Sequence, residues 1–175
     1  MSAAQRSAPY ITPHGYHALE QELATLWRRR AVVTQALAAA AAEGDRSENA
    51  EYIYRKKELR EMDRRIRYLQ KRLPILVVVY DLPADRARIF FGAWVELEDI
   101  EGRRRSYRLV GADEFDLKQG LISVDSPLAR ALLKKSVGDA VAVPTPHGTV
   151  NYEVITVRYD APEGIDALST PFHQR

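Results

Sequence analysis

The sequence predicts an α+β protein: a long antiparallel α-helical hairpin followed by a small β-sheet domain with one helix. Three observations predict it. Two heptad seams are separated by only a few residues, the pattern switches to β-branched and aromatic runs near residue 75, and the charge changes sign there. Residues 1–79 of the 175 carry 14 Lys and Arg against 9 Asp and Glu, while the remainder carries 12 against 15. Opposite signs on the two halves suggest two modules with different partners.

Residues 1–11 read as an N-terminal extension. The hairpin, residues 12–75, opens with Thr12 as N-cap and Pro13 at the first helical position, where a missing N–H costs nothing. Apolar or small residues then recur at Tyr16, Leu19, Leu23, Leu26, Val33, Leu37 and Ala40. These steps of three and four form a heptad seam interrupted at Arg30. Gly44 ends the run, as a glycine after a helix does. A second seam follows at Tyr52, Leu59, Met62, Ile66, Leu69 and Leu73, and Pro74 stops it. Two such helices joined by a short loop must lie antiparallel. Residues 13–43 would span roughly 45 Å as helix. The short turn favours an intramolecular pair, and hence a monomer, over a dimerising coiled coil.

From residue 76 to about 160, "ILVVVY", "RIFFGAWVELED", "RRRSYRLVG", "LISV", "DAVAVP" and "TVNYEVITVRY" read as strands with turn residues between them. One helix interrupts them: Ser126 caps, Pro127 starts it, and "LARALLKK" runs to Lys134 and Lys135, cations favourable at a helix C-terminus. Residues 161–175 read as a flexible tail.

Composition excludes several classes. A hydrophobic fraction of 46% with 29% charged residues argues against wholesale disorder. No apolar run approaches the ~18–20 residues of a membrane span, and the N-terminus lacks a signal-like apolar core. No membrane partner is expected. The absence of cysteine excludes disulfides and thiolate metal sites and fits the cytoplasm, and the four His show no metal-ligand spacing.

Two features carry chemistry. The loop at 43–51 packs Glu43, Asp45, Glu48 and Glu51 into one turn. Asp45 and Glu48 have capping-box spacing, and negative charge suits a helix N-terminus. They also suit Mg²⁺, which takes one or two carboxylates plus waters and a partner's oxygens. Residue physics leaves both readings open. On the second helix Lys57, Arg60, Arg64, Arg67 and Lys71 step by three and four, each two residues before a seam position. That offset is about 200°, the face opposite the seam. Glu61 with Arg65 and Asp63 with Arg67 offer some neutralising pairs. Nucleic-acid phosphate or an acidic protein channel is the natural partner of such a line.

"GDRSENAEYIYRKKELREMDRRIRYLQKRL", residues 44–73, resembles the signature of the bacterial transcript cleavage factors of the GreA/GreB family, its details nearer the GreB branch. The likeness continues through "FFGAWVELED", "YRLVGADE" and "ISVDSPLARALLKKSVGDAVAVPTP", covering about residues 10–160. The resemblance implies a coiled-coil hairpin and a C-terminal domain similar to the FK506-binding-protein (FKBP) fold. That domain would dock on bacterial RNA polymerase while the hairpin enters the secondary channel. The tip would help the polymerase cleave backtracked transcripts, the factor being no enzyme itself. The family's tip carboxylates fall on Asp45 and Glu48, which would share Mg²⁺ with the polymerase and bind it weakly alone, with Ser47 in support. No tightly bound cofactor is implied. The family's basic patch, which contacts the 3′ segment of the nascent RNA, matches Arg55, Lys56, Lys57, Arg60, Arg64, Arg67 and Lys71. Rival readings are a channel-binding paralogue that modulates or inhibits without cleavage, and a prolyl isomerase using Phe90, Phe91, Trp94 and Tyr107.

Overall fold

The structure is a computed structural model that describes residues 7–42 and 50–159. The chain divides into two compact units, one of residues 16–76 and one combining 1–15 with 77–175. The helix terminator Gly44, the capping-box pair and the tail at 161–175 lie outside the described residues.

The first unit is the helical hairpin. Helix α1 spans Pro13–Ala42 and α2 spans Ala50–Arg72. At 30 and 23 residues they are roughly 45 and 35 Å long. Both predicted seams are the sheltered faces. Leu19, Val33, Ala40, Met62, Ile66 and Leu69 are buried, and Tyr16, Leu23, Leu26, Leu37, Tyr52, Leu59 and Leu73 are half-buried. Ion pairs fix the direction: Glu22 meets Arg65 and Arg29 meets Glu58, so the helices run antiparallel within one chain. Pro74 ends α2 as predicted, and Leu73–Ile75 tighten into a 3-10 turn.

The second unit is an antiparallel-dominated sheet. Its strands are β3 (Trp94–Asp99), β4 (Arg104–Val110), β5 (Leu121–Ser123), β6 (Ala140–Thr145) and β7 (Gly148–Arg158), in the order β5-β4-β3-β7-β6. Among the described strands of this five-stranded sheet, only the β4–β5 pair is parallel. Side chains alternate across the sheet, so Val95, Leu97, Leu109, Val141, Val143 and Val154 join one core with Ala129 and Leu132 of helix α3 (Pro127–Leu132). Ser126 caps α3 as expected, its Oγ accepting from the Ala129 N–H at 3.2 Å. The helix is shorter than predicted: it stops at Leu132, and Lys134 turns left-handed at φ 68°. The Lys134 N–H donates instead to the Ile89 carbonyl, so tertiary pairing ends the helix early.

The run "ILVVVY" departs further from expectation. It adds no strand to the main sheet. Val77–Val78 (β2) pairs in parallel with Tyr10–Ile11 (β1), a two-stranded sheet of its own. The N-terminal stretch thus supplies a strand to the second unit. Beside it, Thr12 caps α1 as predicted, accepting from the Gly15 N–H at 3.0 Å. Glu114 gathers the same corner: its Oε2 accepts from the Thr12 and Gly111 N–H groups at 3.0 and 2.9 Å, and its Oε1 accepts from the Thr12 hydroxyl. A Cβ at Gly15 would lie 2.1 Å from Glu114 Oε1, so a larger residue there would push the carboxylate away from these donors.

Candidate functional site

Asp45, Ser47 and Glu48, with Glu43, lie outside the described residues. The two carboxylates are hard oxygen donors, a donor set that fits Mg²⁺ when water and a partner's oxygens complete the shell. Among the described residues no group of three or more His, Cys, Asp or Glu could hold a metal. Glu51, in the first turn of α2, instead faces Arg55 at 3.5 Å.

The basic line stands along α2. Lys57, Arg60, Arg64, Arg67 and Lys71 are all exposed, as the heptad offset requires. Among the described residues Lys57, Arg60, Arg64 and Lys71 form no ion pair, and Arg67 donates from Nε to the Asp63 carbonyl at 3.2 Å. The two neutralising pairs that the spacing offered do not form. Arg65 grips Glu22 of α1 with two hydrogen bonds of 2.7 and 2.8 Å, and Asp63 takes Arg30 at 2.6 Å. Cross-helix partners win because they lie beside the seam, where partial shelter strengthens the attraction. The outer line is left with unspent positive charge, the condition for holding phosphate.

Arg55 and Lys56 do not share that line. Lys56 is exposed, with its ammonium 5.6 Å from the centroid of the Tyr52 ring. Arg55 falls on the seam itself, between Tyr52 and Leu59, and its side chain is only 33% exposed. Its Nη1 donates to Glu58 at 3.3 Å, and its Nε is buried without a hydrogen-bond partner. Glu58, 12% exposed, also accepts from Arg29 Nε and Nη2 at 3.0 and 2.6 Å. The hydrogen bonds from Arg29, then those from Arg55, hold its carboxyl below the ordinary range although burial opposes them. Sequence reasoning passed over Glu58 and Arg29. A signal was present only for Arg55, since 52, 55 and 59 step by three and four, whereas the Arg29–Glu58 pair joins residues 29 positions apart.

The four aromatics of the isomerase reading are not brought together. Tyr107 pairs with Val95 in register, on the face opposite Trp94. Trp94 is buried beneath the Arg108 guanidinium, whose centre is 5.8 Å from its ring, and Phe90 and Phe91 are half-buried before β3. An open groove of about 210 Å³ is lined by Glu98, Asp99, Ile100, Ala140, Asn151, Tyr152 and Glu153, none of them these four.

Two family descriptions match the chain. "Transcription elongation factor, N-terminal" covers residues 9–78, and "Transcription elongation factor, GreA/GreB, C-term" covers residues 84–159. The chain belongs to the GreA/GreB family. Among its relatives, transcription elongation factor GreB of Yersinia pestis is 55% identical over 151 residues, 86% of this chain and 88% of that one. GreB of Xanthomonas axonopodis pv. citri is 57% identical over 158 residues, 89% and 94% of the two chains. The chain is therefore a transcription elongation factor of the GreB type. Among solved structures, the GreA factor homolog 1 (Gfh1) protein of Thermus thermophilus is 28% identical, covers 87% of this chain and 99% of its own, and superposes with a TM-score of 0.41. Among the described residues of this GreA/GreB protein, no helix is long and apolar enough to cross a membrane.

Proposed function

We propose that this GreA/GreB-family factor binds RNA polymerase, inserts its hairpin into the secondary channel and stimulates cleavage of the 3′ end of backtracked transcripts. The observation that carries the proposal is the exposed line Lys57, Arg60, Arg64, Arg67 and Lys71, whose neighbouring acids Asp63 and Glu58 are spent on α1. The names of the GreB relatives support the elongation role.

The chain's residues divide the work. Asp45 and Glu48, in the segment between α1 and α2, would hold Mg²⁺ together with polymerase groups, with Ser47 in support. When bound there, the ion stabilises charge on the attacking and leaving oxygens of phosphodiester hydrolysis. Two carboxylates without further ligands bind such an ion weakly, so the pair works only when docked. The basic line holds the phosphates of the extruded 3′ segment, and the length of α1 and α2 gives the reach.

The test is RNA cleavage in a stalled, backtracked polymerase complex with Mg²⁺. Asp45→Asn and Glu48→Gln should each lower the cleavage rate by on the order of 10²-fold, with polymerase binding kept. Cleavage by both variants at the wild-type rate would show that the carboxylates act only as a helix cap.

A further inference from the structure

The heptad steps of α2 put an arginine where a coiled coil takes a leucine. The register set by Glu22–Arg65 and Arg29–Glu58 places Arg55 in the seam layer of Val33, and Arg30 in the adjoining layer of Leu59. Packing gives no reason for arginine there: the Arg55 Nε is buried with no acceptor, a cost that an apolar side chain would not incur. A polar residue in a seam fixes register at the expense of stability.

The partners of Arg55 show which register is fixed. Glu58 takes Arg29 of α1 on Oε1 and Arg55 of its own helix on Oε2. Arg55 also reaches back one turn to Glu51 at 3.5 Å. One sheltered carboxylate thus joins both helices in the half of the hairpin nearer the end of α1 at Ala42 and the start of α2 at Ala50. Beyond it the α1 side offers only alanines after Leu37, too small to hold a register by themselves.

We propose that Arg29, Glu58 and Arg55 form a clamp that sets the register of the two helix ends leading into residues 43–49, making Glu58 and Arg55 positioning residues for cleavage. The inference rests on the cleavage reading above and assigns Arg55 a role apart from RNA contact. A misplacement of about 1 Å at a reacting centre can cost on the order of 10²-fold in rate.

The experiment compares Glu58→Gln, Arg55→Met and Arg60→Met in the full chain, on backtracked polymerase complexes at two salt concentrations. Glu58→Gln and Arg55→Met should lower the rate at saturating factor by roughly tenfold or more, while the half-saturating concentration and its salt dependence stay at wild-type values. Arg60→Met should do the reverse. A second measurement does not use cleavage. The chain has no cysteine, so spin labels on Ala39→Cys and Ile53→Cys, both exposed, report the distance between the helix ends. Glu58→Gln should broaden that distance distribution. An unbroadened distribution, or Arg55→Met behaving as Arg60→Met does, overturns the clamp. Should Asp45→Asn and Glu48→Gln cleave normally, the cleavage reading fails, and the label distances still decide whether the clamp exists.

Discussion

Glu114 illustrates how much one side chain can organise. Its two oxygens accept from the Thr12 hydroxyl, the Thr12 N–H and the Gly111 N–H, and Thr12 in turn caps α1. Thr12 is only 4% exposed, so water is poorly placed to replace these bonds. Two glycines make room: a Cβ at Gly15 would strike the carboxylate, and one at Gly111 would lie 2.1 Å from the Tyr10 carbonyl. Removing the carboxylate orphans three sheltered donors, each costing about 1 kcal/mol or more. Glu114→Ala should therefore lose about 3 kcal/mol of stability or more, read by denaturant unfolding. Glu114→Gln, which exchanges one acceptor oxygen for a donor, should fall between that variant and wild type. If Glu114→Ala unfolds at the wild-type midpoint, the corner is held by packing and not by the carboxylate.

Helix α2 separates its packing face from the face proposed to bind RNA. The seam and its flanks hold α1, through Met62, Ile66, Leu69 and the ion pairs of Glu58, Asp63 and Arg65. The outer line is exposed, and under the proposed function it meets phosphate. Replacing Arg60, Arg64 and Lys71 by Gln should weaken engagement of transcripts backtracked by many nucleotides. Because each single-strand phosphate contact contributes about 0.7 to the salt slope, losing three should reduce that slope by about 2. An unchanged slope in the half-saturating factor concentration would remove the line from RNA binding. Both faces were legible in the sequence, since heptad periodicity is local and a 200° offset follows from it. What escaped was pairing at a distance. The spacing suggested Glu61–Arg65 and Asp63–Arg67 within one helix, whereas Arg65 and Asp63 choose partners more than 30 residues away. The family resemblance groups Arg55 with the basic patch, although its heptad position already puts it on the seam. For the same reason α3 stops at Leu132: the Ile89 carbonyl that captures Lys134 lies 45 residues earlier.

At the scale of the whole chain, the two units do not follow the linear order of the sequence. The change of period read near residue 75 lies beside Leu76, where the hairpin unit ends. It could not show that residues before the hairpin belong with those after it, because nothing in "APYIT" names its partner. Parallel pairing of Tyr10 with Val77 and Ile11 with Val78 joins segments 67 residues apart, and the Ala8 N–H adds a 2.9 Å bond to Asp125. Ile11 is fully buried, so its side chain belongs to the stability of the sheet unit. The two tryptophans let this be tested in the intact protein, since Trp27 lies in the hairpin unit and Trp94 in the sheet unit. With Trp27→Phe as background, fluorescence reports the sheet unit alone, while far-ultraviolet circular dichroism is dominated by the hairpin helices. Ile11→Ala should destabilise the Trp94-reported transition by about 2–4 kcal/mol, the usual cost of emptying a buried isoleucine site. The helical signal should keep its own midpoint, because the two units are separate clusters of contacts. A shift of both transitions together would mean that the units unfold as one. A shift of neither would mean that β1 contributes nothing to the sheet, and that the N-terminal stretch is the mere extension its sequence suggests.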